Sequence, residues 1–123
     1  MKSYSPTYVI GDSISLPILW QDSAENGITF LSRRVRLVVR QFISDSNDEV
    51  LVDLNSDDNP NEIEILENID RTKIGKIEIL IPSSTTQKFP VGDLPYNIEV
   101  LDADGFRRTI LSGRFKMISD IAR

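Results

Sequence analysis

Any chemistry in this chain has to come from carboxylates, hydroxyls and guanidinium groups, because its 123 residues include no histidine and no cysteine. Without histidine the commonest general base and zinc ligand are missing, and so is the proton acceptor of most nucleophile-activating triads. Without cysteine there is no thiol nucleophile, thiolate metal site or disulfide framework. Two carboxylates across a cleft could still hydrolyse a glycosidic bond. The candidates Glu62, Glu64, Glu78 and Glu99 each alternate with isoleucine or valine, which sets them on outward, solvated positions of strands. No serine occupies a Gly-x-Ser-x-Gly elbow, and no glycine-rich phosphate loop precedes a helix. The chain therefore reads as a non-enzyme that needs no cofactor.

Oxygen ligands do cluster in "SDSND", "NSDDNPNE" and "DADG". Calcium takes six to eight oxygens, and a dedicated calcium loop spaces Asp and Asn at alternate positions before a distal glutamate. None of the three runs has that spacing, while Asp and Asn are ordinary turn formers, so the expectation is turns and no metal.

Arg33, Arg34, Arg36 and Arg40 form the one basic cluster. With strand alternation Arg34, Arg36 and Arg40 share a face, opposite Val35, Leu37 and Val39. A phosphate backbone would need a basic surface around them, and the formal net charge of −5 opposes that. Two uses remain: outward Glu62, Glu64, Glu78 or Glu99 on a neighbouring strand balance them by cross-strand pairing, or they contact a partner protein. Arg34, Arg36 and Arg40 are the candidate interface residues.

The elements that would position these groups are strands. Apolar residues recur at every second position in short segments separated by polar punctuation, and nowhere at helical spacing for three turns. Strands are expected at 7–10, in the segment 14–20, at 35–42, from Val50 through Leu54, at Ile63 and Ile65, and through "GKIEILIP". "SSTTQKFPVGDLP" has room for one helical turn. The last piece, "YNIEVLDADGFRRTILSGRFKMI", reads as a hairpin with Asp-Gly at its turn; Tyr96, Ile98 and Val100 share one side of its first arm, and the second carries Ile110, Leu111, Phe115 and Met117. Pro17 cannot donate to a ladder, so its strand should lie at an edge or carry a bulge. About eight evenly spaced strands describe one domain over 1–123, an all-β, immunoglobulin-like antiparallel sandwich. The single tryptophan, Trp20, continues the parity of Ile14, Leu16 and Ile18 and is expected to cap the core between the sheets.

The N-terminal "MKSYSPTYVIGDS" lacks the apolar centre of a signal peptide, and no apolar run approaches the ~18 residues of a membrane span. The expectation is a chain made in a cytoplasm, or assembled into a particle there, with neither membrane nor nucleic acid as partner.

The order of these pieces resembles a known family. A strand ending in "WQD", a Gly-containing loop, "RRVRLVVR", "GKIEILIPSSTTQKFPVG" and the final hairpin resemble the immunoglobulin-like modules of tailed-phage tail and baseplate proteins, including the N-terminal domain of baseplate upper proteins. Trp20, Asp22 and Gly27 match the front motif, and Tyr96, Asp104, Gly105, Gly113 and Arg123 match the hairpin. "GITFLS" replaces the Asp-Leu-Thr-Gly type of connection at the front loop. The resemblance implies a non-enzymatic virion subunit, present in multiple copies in a symmetric assembly with other virion proteins, and without catalytic residues. Because the sequence stops at Arg123, it also implies a connector or peripheral subunit in place of a complete host-binding fibre. Two other readings stand beside it. One is a head-associated decoration protein, and the other a carbohydrate-binding or adhesive module using Tyr4, Tyr8, Phe30 and Phe89.

Overall fold

A computed structural model describes residues 2–41 and 50–119, among which the chain order is nine strands, a 3-10 turn at Leu66–Asn68 and one α-helical turn. The strands are β1 (Lys2–Ser3), β2 (Thr7–Val9), β3 (Ile14–Leu19), β4 (Arg34–Arg40), β5 (Val50–Asn55), β6 (Ile63–Ile65), β7 (Lys76–Ile81), β8 (Gly92–Leu101) and β9 (Arg107–Ile118), with α1 (Ser83–Thr86) between β7 and β8. The period-2 pattern locates β2 to β9 because mainly one face of each sheet is buried, but β1 is not among the expected strands, and β8 begins at Gly92, within the segment read as a connection. In β3, Ile14, Leu16 and Ile18 are buried while Ser15, Pro17 and Leu19 are exposed.

Two sheets result. The smaller has the order β3-β7-β6; the larger runs β9-β8-β4-β5, with β1 and β2 both added along the outer edge of β9. With β3 standing for strand B, these are the B-E-D and G-F-C-C′ arrangements of an immunoglobulin-like sandwich. The ladders are antiparallel except at β1 and β2, which run parallel to β9. A strand total slightly above the expected eight arises because the N-terminal segment pairs twice, with Pro6 lying between its two pieces. Pro6 still contributes its carbonyl, which accepts from the Lys116 N–H at 2.9 Å.

The core lies between the sheets. Ile14, Leu16 and Ile18 stand opposite Ile81, Ile79 and Ile77 in the β3–β7 register. From the larger sheet, Val35, Leu37 and Val39 stand opposite Val100, Ile98 and Tyr96. Phe30, Leu94, Phe115 and Met117 complete the buried cluster. Both prolines within strands sit where a missing N–H is tolerated. Pro17 lies on β3, an edge strand, and Pro95 lies just beyond Tyr96, where the β4 ladder with β8 stops.

The Asp-Gly turn forms as expected. The Asp102 N–H donates to the Phe106 carbonyl at 2.9 Å and the Gly105 N–H to the Asp102 carbonyl at 3.0 Å, with Gly105 at φ 91°. This is a three-residue hairpin loop whose last position needs a left-handed backbone, which glycine adopts without strain. The β4 strand ends at Arg40, two residues short of the expected Phe42, which lies outside the described residues together with "SDSND" and Arg123.

Candidate functional site

The outward face of β4 carries Arg34, Arg36 and Arg40, with Val38 between them covered to 4 % exposure. Alternation puts the arginines there, and a register shift between Val39 and Arg40 displaces the last one along the sheet. Arg36 makes two parallel bonds to Asp53 on β5, from Nε at 2.9 Å and from Nη2 at 2.7 Å. These charge-assisted bonds hold the Asp53 carboxyl below the usual range, against a smaller desolvation effect, with help from the charges of Arg36, Arg34 and Arg40. Arg34 lies 3.6 Å from Asp57 and 3.8 Å from Asp58, in the loop after β5.

Balance is therefore supplied by Asp53, Asp57 and Asp58, which corrects the expected partners. Glu62, Glu64 and Glu78 lie on or beside the other sheet, and of the four expected glutamates only Glu99 stands next to the stripe, opposite Arg36. The sheet order, which sets which strand neighbours β4, is the reason.

Arg40 lies toward the other end of the stripe and lines an open groove of about 690 Å³ together with Ser5, Asn97, Ser112 and Arg114. The floor of this groove is set by Gly113. A Cβ there would collide with the Tyr4 carbonyl oxygen, so a glycine lets the N-terminal arm lie flat against β9. Arg34 and Arg36 share a second groove of about 430 Å³ with Asp53, Asp58, Glu99 and Arg107. Arg34 and Arg36 thus face Asp53, Asp57 and Asp58, while Arg40, whose charge also acts on Asp53, lines the other groove with Arg114.

Arg33 points elsewhere. Its Nε is 2.8 Å from Asp102 Oδ1, and its guanidinium lies 5.1 Å from the centre of the Trp20 ring. Trp20 is half-buried and packs on Phe30 with ring centroids 5.2 Å apart, so it covers one end of the core, while the enclosed aromatic at that end is Phe30. Of the aromatic residues considered for sugar stacking, Phe30 and Phe89 are buried, Tyr8 packs edge-on against Phe115, and Tyr4 is exposed. They do not gather on one loop face.

Of the polar runs, "NSDDNPNE" and "DADG" form turns, as does the Asp22 loop. Asp22 Oδ1 accepts the Ala24 and Asn26 N–H groups at 2.9 and 3.0 Å, and Asn55 Oδ1 accepts those of Asp57 and Asp58 at 3.1 and 2.8 Å. Among the described residues, no three carboxylates are grouped to hold a metal ion, and no helix is long and apolar enough to cross a membrane.

Sequence reasoning missed two structural residues. Glu67, buried at 3 % exposure, accepts from the Thr29 hydroxyl at 2.7 Å and the Phe30 N–H at 3.1 Å. Burial pushes its carboxyl up, but these bonds, one from the Gly75 N–H and the Arg71 charge together hold it below its ordinary value. Its local context, "LENID", reads as a polar turn and gives no sign of a partner 38 residues away. Tyr96 was placed inward, but its hydroxyl partner, the Tyr4 carbonyl, comes from the far end of the chain. No protein-family model matches the chain, and no curated protein matches it either.

Proposed function

We propose that this chain is a non-enzymatic structural subunit of a phage particle, in the tail or baseplate, which works by fitting its surfaces to neighbouring subunits. The reading rests on the sequence resemblance to phage immunoglobulin-like modules. The structural observation that carries the contact is the groove holding Arg40 and Arg114 beside a stripe already ordered by Asp53. Guanidinium groups lining a polar groove suit the acidic surface of a partner protein, because the planar fork bonds carboxylates two at a time. Arg36 contributes by shape and order, held by its two bonds to Asp53.

The test is complementation with charge-reversed chains. Reversal at Arg36 would set a glutamate against both Asp53 and Glu99 and would unsettle the sheet itself. The informative variant is therefore Arg40→Glu with Arg114→Glu, accompanied by thermal melting. Reduced uptake of a normally folded variant supports the reading; normal uptake removes this groove as the contact.

A second reading, an adhesive or sugar-binding module, is favoured by one feature. Tyr4, Pro17, Leu19 and Trp20 border a partly apolar groove of about 470 Å³ on the open side of the sandwich. Glycan-array binding that disappears in Tyr4→Ala would favour it over the structural role.

A further inference from the structure

The two ends of this sandwich carry complementary features that cannot meet within one chain. At one end, the β8–β9 turn presents Phe106 at 68 % exposure, followed by Arg107 and Arg108. Neither arginine has a salt bridge among the described residues, although Arg107 also borders the groove that holds Asp53, Asp58 and Glu99. At the other end, Ser13, Ile14, Ser15, Leu80 and Pro82 line a groove of about 340 Å³ rimmed by Glu62. Glu64 and Glu78 continue this acidic border along the outer face of the smaller sheet, and neither they nor Glu62 has a salt bridge among the described residues.

Their polarity is fixed by contacts already described. Arg33 links Trp20, just past the end of β3, to Asp102 in the hairpin turn, so that end of β3 lies beside Phe106. The groove lies at the beginning of β3, where Ile14 pairs with Ile81. The acidic border also contains an arrangement unfavourable in the free chain. Glu64 and Glu78 stand directly opposite one another in the β6–β7 register, with one bond from the Ser15 hydroxyl to Glu78 at 3.0 Å. Like charges placed opposite on a sheet destabilise it, and a cationic surface laid over them would reverse the sign.

We infer that a second copy of this chain docks head to tail, its Phe106 entering the groove between Ser15 and Pro82 while Arg107 and Arg108 meet Glu62 and Glu64. The contact names the partner surface within the reading of a multi-copy structural subunit, and it rests on that reading for its biological setting. It joins two different patches, so it is heterologous and generates a ring or an open row of copies. An exposed aromatic flanked by arginines is the composition that dominates such interfaces.

The experiment is analytical ultracentrifugation of the full chain across concentration and salt, with two charge-reversed variants. Wild type should form a concentration-dependent series of species that dissociates when salt is raised to about 1 M, where the screening length falls to about 3 Å. Arg107→Glu/Arg108→Glu and Glu62→Arg/Glu64→Arg should each stay monomeric, and mixing them should restore the concentration-dependent series with the two variants alternating, since the negative knob of one fits the positive groove of the other and the positive knob of the second fits the acidic groove of the first. Phe106→Ala should weaken self-association by about tenfold or more. Glu64→Arg should raise the melting temperature of the monomer, because it removes the like-charge pair. A wild type that stays monomeric, or variants that associate as wild type does, would overturn the contact. A chain that is monomeric alone yet present in phage particles overturns only the contact, whereas one that self-associates this way and is absent from particles overturns only the phage reading.

Discussion

The Tyr96 hydroxyl donates to the Tyr4 carbonyl across 2.6 Å, joining residues 92 positions apart. Tyr96 stands in β8, stacked on Phe115 with ring centroids 4.2 Å apart, and Tyr4 lies in the N-terminal arm between β1 and β2. The bond, the Tyr4 N–H to Ser112 carbonyl at 2.9 Å and the clearance at Gly113 together hold the arm on the edge of β9. An edge that would otherwise be open to foreign strands is closed there by the chain's own first residues.

Removing the hydroxyl should loosen that arm. Tyr96→Phe leaves the stacking intact and is expected to cost about 1 kcal/mol, with faster amide exchange at Tyr4, Ile10 and Lys116. Denaturant melts and exchange by NMR check it; unchanged exchange at those amides would assign the arm's order to its backbone pairing alone.

The same tyrosine predicts an alkaline transition. Burial, with smaller effects from Tyr8 and Tyr4, pushes the Tyr96 hydroxyl up to about 12. The unfolded chain ionises this group near pH 10 while the folded chain keeps its proton, so stability should fall as pH rises from about 10 to about 12. That portion of the decline should be absent in Tyr96→Phe, as read from urea melts at several pH values.

Glu67 predicts the opposite limb. Its carboxyl is held below the ordinary range, so its contribution is complete above the unfolded value near pH 4.3 and is lost as pH falls through the lower folded value. Glu67→Gln should cost about 1–3 kcal/mol at pH 7 by weakening the bonds from Thr29, Phe30 and Gly75. The loss relative to wild type should shrink as pH falls through the lowered folded value, and a difference independent of pH would contradict the charged role.

Of the paired aromatics, Phe30 should matter more than Trp20. Phe30→Ala opens a cavity in an enclosed site and is expected to cost about 3–5 kcal/mol, whereas half-exposed Trp20→Ala should cost about 1–3. Equal losses in denaturant melts would mean that Trp20 is as much a core residue as its partner.

Much of this was readable from residues alone where the signal is local. Ile14, Leu16 and Ile18 against Ile77, Ile79 and Ile81 alternate cleanly because one face is buried, and a one-residue slip would expose them all. Pro17 announced an edge, and Asp104-Gly105 announced the hairpin. The arginine partners were not readable, because they depend on the sheet placing β5 and β8 beside β4. Tyr96 and Tyr4, like Glu67 and Thr29, meet only after the sheets and loops have assembled, and nothing within a few residues of either member signals the other.

The central proposal is that the chain is a structural part of a phage particle, and the most direct measurement is quantitative mass spectrometry of gradient-purified phage particles from cells that make the chain. The account predicts that the chain is present at a fixed copy number, in constant ratio to the other tail or baseplate subunits from one preparation to the next. A chain made during infection yet absent from purified particles would contradict it.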